Sequence, residues 1–379
     1  MISSRAENIP SFLVMDILEA AQELERAGED IVHLEIGEPD FGAPEYVVEA
    51  AARALREGKT RYTHCQGIIE LREAICDHYF KNYNVAINPD RVFVNSGSSP
   101  AMFSVFGVLL DPGDEVILTN PHYACYPSIF SFLGGRPMYL NLRGEEGFRY
   151  RVEDVKGLLT PKTKAILINS PANPTGIVIK KEDLETLARG EHGFIISDEI
   201  YHGLVYEGQA HSILEFTDRA FVLNGFSKVY GMTGWRLGYT IVPQEFIRPM
   251  QKVQQNFFIS ANAFVQWAGV AALTGPQDHI GQHVTEYDKR RRFLIQRLRE
   301  IGFGIGSEPT GAFYVLADAH RFGSDSHKLA FELLGRAKVG ATPGIDFGSK
   351  AEGFLRFSYS NALDNIAEGM DRLERYLQG

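Results

Sequence analysis

The amino-acid sequence predicts an α/β protein in which a mostly parallel sheet, flanked by helices, forms a large domain beside a smaller α+β domain. From about residue 91, short apolar segments alternate with helical stretches, a pattern that favours parallel strands joined by helices. The segments are rich in β-branched residues and do not alternate strictly, as expected for strands buried on both faces. After Gln277 the pattern changes to charged helices with few strands, which indicates the second domain.

The individual elements are predicted in chain order from periodicity and turn residues. A first helix covers about residues 16–27, because its apolar residues recur at helical spacing until Gly28. A loop rich in glycine and proline follows at residues 37–44. Strands are then predicted at residues 91–95, 115–119, 165–169, 194–197, 221–224 and 237–242. The accompanying helices are predicted at residues 100–110, 123–133, 181–188 and 244–254.

The last hundred residues predict a smaller unit of helices and strands. Its helices are predicted at residues 287–301, 326–338 and 362–377, and its strands at residues 312–316 and 355–360. We therefore expect three parts, with limits accurate to a few residues. They are an N-terminal segment that packs with the small domain (residues 1–40), a large domain (residues 41–280) and a small C-terminal domain (residues 281–379).

The composition argues against several classes of function. The chain has 379 residues and 38 Lys and Arg against 48 Asp and Glu, a net charge of −10, which disfavours a nucleic-acid or anionic-membrane partner. Its cysteines, Cys65, Cys76 and Cys125, are widely spaced and predict neither a disulfide framework nor a metal site. We see no signal peptide and no apolar run near the ~18 residues of a membrane span. We therefore expect a cytoplasmic protein without a membrane partner.

Polar side chains stand at the ends of several predicted strands, where open α/β sheets bind their ligands. They are Asn173 in the loop after residues 165–169, Asp198 and Tyr201 after residues 194–197, Ser227 and Lys228 after residues 221–224, and Arg236 before residues 237–242. Taken singly, each has an ordinary explanation as a turn residue, a helix cap or a solvated charge.

Together, these residues suit a ligand that has an aldehyde, a basic ring nitrogen, a ring hydroxyl and a phosphate. Pyridoxal phosphate has all four groups. Its chemistry needs a lysine amine to form a Schiff base and a carboxylate to keep the ring nitrogen protonated. The residues around Ser98 and Ser99 open a predicted helix, so their backbone N–H groups could bind the phosphate.

In these motifs the sequence resembles the class I/II aminotransferases, which are fold-type I pyridoxal-phosphate enzymes. The resemblance runs from about residue 16 to the C-terminus. It rests on four motifs in order: NPTG at 173–176, DEIY at 198–201, SK at 227–228 and GWRLGY at 234–239. The resemblance implies an enzyme that moves an amino group from an L-amino acid to a 2-oxo acid, such as 2-oxoglutarate or pyruvate, by a ping-pong mechanism.

The resemblance also implies how the cofactor is bound. Lys228 would bond to the cofactor aldehyde and later shuttle a proton, while Asp198 would pair with the ring nitrogen. Asn173 and Tyr201 would hydrogen-bond the ring hydroxyl. The other cofactor contacts implied are those of Arg236, Ser227 and the N–H groups of Ser98 and Ser99 with the phosphate, and of Tyr123 with the ring face.

The substrate site and the assembly are implied in the same way. Arg356, on the last predicted strand, would bind the substrate α-carboxylate, assisted by the backbone N–H of Gly37 and by Asn173. Tyr62 would reach the cofactor phosphate in a neighbouring subunit. The resemblance therefore implies a homodimer with its sites at the interface.

Departures from the family pattern concern the phosphate and the substrate side chain. Gly225 stands where relatives often have a serine, and no basic residue stands near Ser99 or within residues 255–260 to bind a second carboxylate. We therefore expect a neutral or aromatic amino donor. Two alternatives stay open: a cystathionine-type C–S β-lyase using the same Lys228 and Asp198, and a non-catalytic aminotransferase-like binding protein, which the acidic composition disfavours.

Overall fold

The protein is described by a computed structural model that covers residues 2–149, 151–190 and 192–379. Its strands are β1 (Val32–His33), β2 (Val92–Asn95), β3 (Glu115–Asn120), β4 (Arg136–Asn141), β5 (Thr163–Asn169), β6 (Phe194–Asp198), β7 (Ala220–Gly225), β8 (Gly238–Ile241), β9 (Tyr314–Asp318), β10 (Val339–Gly340), β11 (Thr342–Pro343) and β12 (Phe354–Ser358). Its α-helices are α1 (Ser4–Glu7), α2 (Leu13–Arg26), α3 (Glu45–Arg56), α4 (Ile69–Tyr83), α5 (Ser98–Leu109), α6 (Cys125–Phe132), α7 (Val152–Lys156), α8 (Lys181–Ala188), α9 (Ile247–Val253), α10 (Ala263–Thr274), α11 (Asp278–Ile301), α12 (Ser326–Glu332) and α13 (Leu363–Gln378). π-Helical turns, Gln254–Phe258 and Leu333–Ala337, continue α9 and α12.

Seven strands form the main sheet, in the order β2-β8-β7-β6-β5-β3-β4. All neighbours are parallel except β8, which runs antiparallel to both β2 and β7. Successive residues of the central strands pack to opposite sides: Ile166 and Ile168 of β5 join one apolar cluster, and Ala165 and Leu167 the other. The prediction of a mostly parallel sheet covered on both faces is therefore confirmed.

Some elements of the structure differ from the sequence prediction. Strand β4 is an edge strand whose residues, RPMYLN, are mostly exposed or half-buried, so it lacks the apolar run of its neighbours. Helix α10 packs against both α3 and α4 and is apolar on most of its circumference, so it lacks a one-sided helical pattern. The predicted helix at residues 244–254 begins instead with a short turn, Gln244–Phe246, before α9.

The second sheet is antiparallel, in the order β11-β12-β9. A separate two-stranded sheet joins the N-terminal segment to the C-terminal part of the chain, since Val32 and His33 of β1 pair in parallel with Val339 and Gly340 of β10. Helix α2 also packs against β10 and β11. The domain limits at residues 40 and 280 stay a prediction.

None of the helices in the described ranges is both long and apolar enough to cross a membrane.

Candidate active site

A cavity of about 350 Å³ lies at the carboxyl ends of β5 and β6 and reaches β12 of the second sheet. It brings together nearly all the residues singled out in the sequence: Gly37, Ser98, Ser99, Tyr123, Asn173, Asp198, Tyr201, Ser227, Lys228, Arg236 and Arg356. Tyr62 is the exception, since it does not line this cavity and its side chain is 83% exposed.

Lys228 follows β7, lines the cavity and is half-buried. Its Nζ donates a hydrogen bond to the carbonyl oxygen of Gly37 at 2.6 Å. Burial lowers the pKa of Lys228 to about 8, an effect opposed by the negative charge of Glu38. A lysine with this pKa has a substantial neutral fraction near pH 8 and is therefore a usable nucleophile.

Asp198 ends β6 and is almost completely buried. Its Oδ2 accepts a hydrogen bond from the Tyr126 hydroxyl at 2.7 Å, and its Oδ1 accepts from the backbone N–H of Ile200 at 3.1 Å. Burial raises the pKa of Asp198 to about 6, although these two donors favour the anion. Tyr126 was not predicted as a site residue; its position one helical turn after Tyr123 was the available signal.

Tyr201 and Tyr314 join the two sheets across the cavity. Their hydroxyl oxygens are 2.8 Å apart, and both side chains are buried. A β-carbon on Gly37 would overlap the Tyr314 hydroxyl, so this close approach requires glycine. Tyr314 also escaped prediction, because nothing in its local sequence distinguishes it from a core aromatic residue.

Arg356 of β12 is a buried cation that lines the cavity. Its Nη1 donates to Oδ1 of Asn173 at 2.9 Å, and its Nη2 donates to the carbonyl oxygen of Glu35. The guanidinium lies over the ring of Tyr314, 4.3 Å from its centroid. Within the described residues, Nε has no hydrogen-bond partner and no carboxylate forms an ion pair with Arg356. A buried cation in this state is suited to an anionic ligand.

A second anion-binding arrangement lies at the start of α5. Gly97 precedes this helix with φ 96°, and Ser98 and Ser99, whose backbone N–H groups belong to the first turn and have no acceptor within the helix, line the cavity. A β-carbon on Gly97 would collide with Nη2 of Arg236. Glycine at this position thus lets the guanidinium approach the helix N-terminus, which favours phosphate binding.

These groups together fit pyridoxal phosphate. The cavity offers a half-buried amine for an aldehyde, a buried carboxylate for a ring nitrogen, and a glycine-dependent site for a phosphate. Hydrogen-bonding side chains for a ring hydroxyl, Asn173 and Tyr201, line the same space. Arg356 is left over for the carboxylate of a second molecule.

An apolar surface, formed by Phe12, Met15 and Leu18 at the start of α2, closes one side of the cavity; we call it the α2 wall. The Phe12 ring stands at 90° to that of Tyr123, with centroids 6.0 Å apart. The wall was not predicted, because Phe12 and Met15 precede the predicted helix at residues 16–27 and Leu18 fits its ordinary apolar periodicity.

Comparison with known proteins identifies the family of the chain. The family model described as aminotransferase class I and II matches residues 29–373. A (5-formylfuran-3-yl)methyl phosphate transaminase of Methanocaldococcus jannaschii is 43% identical over the full length of both chains. The aspartate/prephenate aminotransferase of Thermus thermophilus is 39% identical over 99% of this chain and 98% of its own.

Solved structures agree with the sequence relatives. The Thermus thermophilus aspartate aminotransferase with maleate superimposes with a TM-score of 0.94, at 39% identity over 99% of each chain. A Methanococcus jannaschii structure, described as similar in its active site to kynurenine aminotransferases, gives a TM-score of 0.92 at 43% identity over 100% of each chain. The fold is therefore that of the fold-type I transferases, as expected from the motifs.

Proposed function

This chain belongs to the class I and II aminotransferase family, whose members use pyridoxal phosphate, and from that premise we propose how its cavity binds cofactor and substrate. The chain is an aminotransferase, and amino acids and oxo acids are the substrate classes of its relatives. We propose that it moves an amino group from an L-amino acid to a 2-oxo acid by a ping-pong mechanism, in which both substrates use one site in turn.

Lys228 and Asp198 would organise the cofactor end of the cavity. Bound pyridoxal phosphate supplies an electron sink that stabilises negative charge at the substrate α-carbon. Lys228 would hold the aldehyde, and its Nζ would afterwards move a proton at the α-carbon. Asp198 would hold the proton of the ring nitrogen, in an orientation fixed by Tyr126 and the N–H of Ile200.

The remaining contacts would hold the ring and the phosphate of the cofactor in position. Asn173 and Tyr201 would bind the ring hydroxyl, and Tyr123 would pack on the ring. The phosphate contacts that we propose are the N–H groups of Ser98 and Ser99, the Ser227 hydroxyl and the Arg236 guanidinium.

One observation supports the substrate assignment more than any other: Arg356 is buried beside the cavity without a carboxylate partner in the described chain. A guanidinium in this state would bind a substrate carboxylate through two hydrogen bonds. Asn173 already orients it, and the backbone N–H of Gly37 would add a donor on the other side.

The donor side chain that fits best is neutral or aromatic. Among the residues that line the cavity, the cations are Lys228, Arg236 and Arg356, and the first two are assigned to the cofactor. A second carboxylate, as in aspartate, would find no cation among these lining residues, whereas an apolar side chain would meet the α2 wall. The solved relative likened to kynurenine aminotransferases is consistent with an aromatic donor.

A second candidate for the oxo substrate is an aldehyde that carries a phosphate. The 43% identical relative is named for such a compound, (5-formylfuran-3-yl)methyl phosphate. A single anionic group would match the single unassigned cation, Arg356, and a flat ring would match the α2 wall. This candidate replaces the oxo acid and leaves the amino donor unchanged.

A homodimer is part of the proposal. Tyr62 would reach the phosphate site of the neighbouring subunit, which is consistent with its 83% exposure. Two further large apolar side chains, Phe257 and Ile259, are 69% and 50% exposed and would be covered by a partner. Sedimentation of the purified protein at twice the monomer mass would support the assembly, and a monomer with full activity would contradict it.

The decisive experiment is a half-reaction. Purified protein loaded with pyridoxal phosphate is mixed with each of twenty L-amino acids, and conversion to the pyridoxamine form is followed by absorbance. We expect neutral or aromatic donors to convert the protein to the pyridoxamine form. Addition of 2-oxoglutarate, pyruvate or the phosphorylated aldehyde should then restore the pyridoxal form. No conversion by any donor would reject the proposal, and release of pyruvate and ammonia from cystathionine without an acceptor would favour the β-lyase.

The assignment of the lysine is tested separately. Borohydride reduction of the loaded protein followed by peptide mapping should place the phosphopyridoxyl label on Lys228. A label on any other lysine would overturn the assignment of the cofactor site.

A further inference from the structure

The N-terminus of α2 is held by a carboxylate from the far end of the chain. The backbone N–H groups of Leu13 and Val14 donate to Oδ1 and Oδ2 of Asp346 at 3.1 and 3.3 Å. The residue that caps α2 locally, Phe12, makes no side-chain capping bond. Asp346 therefore supplies from 333 positions away the negative charge that a helix N-terminus favours.

Asp346 is itself part of a well-anchored turn, Gly344–Phe347. The backbone N–H of Ile345 donates to Oγ of Ser326 at 3.1 Å, and the carbonyl of Phe347 accepts from the N–H of His122 at 3.0 Å. The backbone on both sides of Asp346 is thus held by hydrogen bonds, so the position of its carboxylate relative to α2 is fixed.

The same turn supports the proposed substrate anchor. The ring of Phe347, next to Asp346, is fully buried, and the Arg356 guanidinium lies 4.9 Å from its centroid. One turn therefore contacts Arg356 through Phe347, and through Asp346 it contacts the N-terminus of α2, the helix that carries the α2 wall.

The residues of the α2 wall lie next to the helix end that Asp346 binds. Phe12 immediately precedes the two N–H groups that Asp346 accepts from, and Met15 and Leu18 lie on the following turns. The opposite face of α2 is buried in the core through Ile17 and Ala21. If the helix end moved, the position of Phe12 and Met15 relative to the cavity would change first.

We propose that Asp346 is a positioning residue for substrate selection, because it fixes the distance between the α2 wall and Arg356. This inference rests on the proposed function. A donor with a large apolar side chain contacts the wall and depends on Asp346. A donor with a side chain as small as that of alanine does not reach the wall and depends on Asp346 only through the interaction of its charge with that of Arg356, which all donors share.

The test compares Asp346→Asn with the unaltered enzyme, using the largest and the smallest neutral donors that the unaltered enzyme converts. We expect KM for the large donor to rise about tenfold, KM for the small donor to stay within about twofold, and kcat for both to change little. The control is Asp364→Asn, which removes a carboxylate from the first turn of α13, outside the cavity. An equal rise for both donors, or no rise for the large one, would overturn the proposal.

Two further measurements separate positioning from general destabilisation. Hydrogen exchange of the peptide covering α2 should be faster in Asp346→Asn than in Asp364→Asn; unchanged exchange would refute the link. In a Met15→Ala background the wall is already reduced, so Asp346→Asn should add less to KM of the large donor, and full additivity would count against the mechanism.

If Asp346→Asn does not fold, Asp346→Glu provides the variant, since its longer carboxylate displaces the helix end while retaining the charge. It must raise KM selectively for the large donor, and an unselective change would again overturn the proposal. An unaltered enzyme that converts no donor would instead refute the proposed function, so the two failures are distinguishable.

Discussion

Arg356 and Asn173 are 183 positions apart in the chain, yet Nη1 of the arginine donates to the side-chain oxygen of the asparagine at 2.9 Å. The bond joins β12 of the small sheet to the loop after β5 of the large sheet. Asn173 is also the residue that we expect to bind the cofactor hydroxyl. The position of the cofactor ring and the position of a substrate carboxylate on Arg356 would therefore both depend on Asn173.

Replacing Arg356 by lysine is expected to lower kcat/KM about 100-fold. The ammonium retains the charge but loses the planar pair of donors, and charge-assisted bonds of this kind contribute about 2–3 kcal/mol. Steady-state kinetics with the best donor measures the loss. Arg372→Lys is the control, since Arg372 pairs with Asp30 and Glu368 at the surface. Unchanged kinetics in Arg356→Lys would remove Arg356 from the substrate site.

Uptake of pyridoxal phosphate by the cofactor-free protein should depend on pH through Lys228. Only the neutral amine attacks an aldehyde, and burial lowers the pKa of Lys228 to about 8. The uptake rate should therefore rise roughly tenfold per pH unit below pH 8 and level off above it. Stopped-flow absorbance between pH 6 and pH 10 follows the reaction. A rate that still climbs steeply near pH 10, as for an exposed lysine, would contradict the lowered pKa.

Gly97→Ala should weaken cofactor binding at least about tenfold. The added methyl group would displace the Arg236 guanidinium, and alanine at φ 96° is strained, effects that together cost about 1–3 kcal/mol. The matched control is Gly113→Ala, because Gly113 has a similar φ of 92° and a β-carbon there meets no atom within 4 Å. Equilibrium titration of the cofactor-free variants gives both affinities. Equal affinities in the two variants would mean that Arg236 does not hold the phosphate.

His33 should stabilise the fold in a pH-dependent way. Its Nδ1 lies 2.6 Å from Oε1 of the fully buried Glu35, and this bond, opposed by burial, raises the pKa of His33 to about 9. A raised pKa in the folded state means that the stabilisation is complete below the ordinary value near 6.5 and is lost as the pH rises through 9.

We therefore expect His33→Gln to lower the free energy of unfolding by about 1–2 kcal/mol at pH 6 and by little at pH 10, a figure reduced for the partial exposure of the ring. Urea denaturation at pH 6, 8 and 10 checks this. His327→Gln, at an exposed histidine, should show no such trend. A loss that is the same at all three pH values would argue against a charged His33.

The residues found from sequence have a common property: they stand at the end of a buried strand or in a distinctive short motif. Asp198 and Lys228 could be singled out because a charged side chain directly after an apolar run is unusual. Their assembly in one cavity follows from the parallel order of β5, β6 and β7, which brings the strand ends to one edge.

The residues that sequence reasoning missed depend on contacts between distant parts of the chain. Tyr126, Tyr314 and Asp346 are of types common in cores and on surfaces, and their local sequence does not reveal the hydrogen bonds that they make. The edge strand β4 and the apolar helix α10 were missed for a related reason, since each lacks the periodic pattern on which prediction relies. The limits of the domains and the role of Tyr62 stay predictions.

The order of the site residues along the chain has a consequence for biosynthesis. Every residue that we assign to the cofactor within one subunit precedes the end of β8, whereas Asp346 and Arg356 follow it in the chain. During translation, the residues for the vitamin therefore leave the ribosome before the arginine that we propose to bind the carboxylate of the metabolite. The order of synthesis is thus cofactor site first and substrate anchor second.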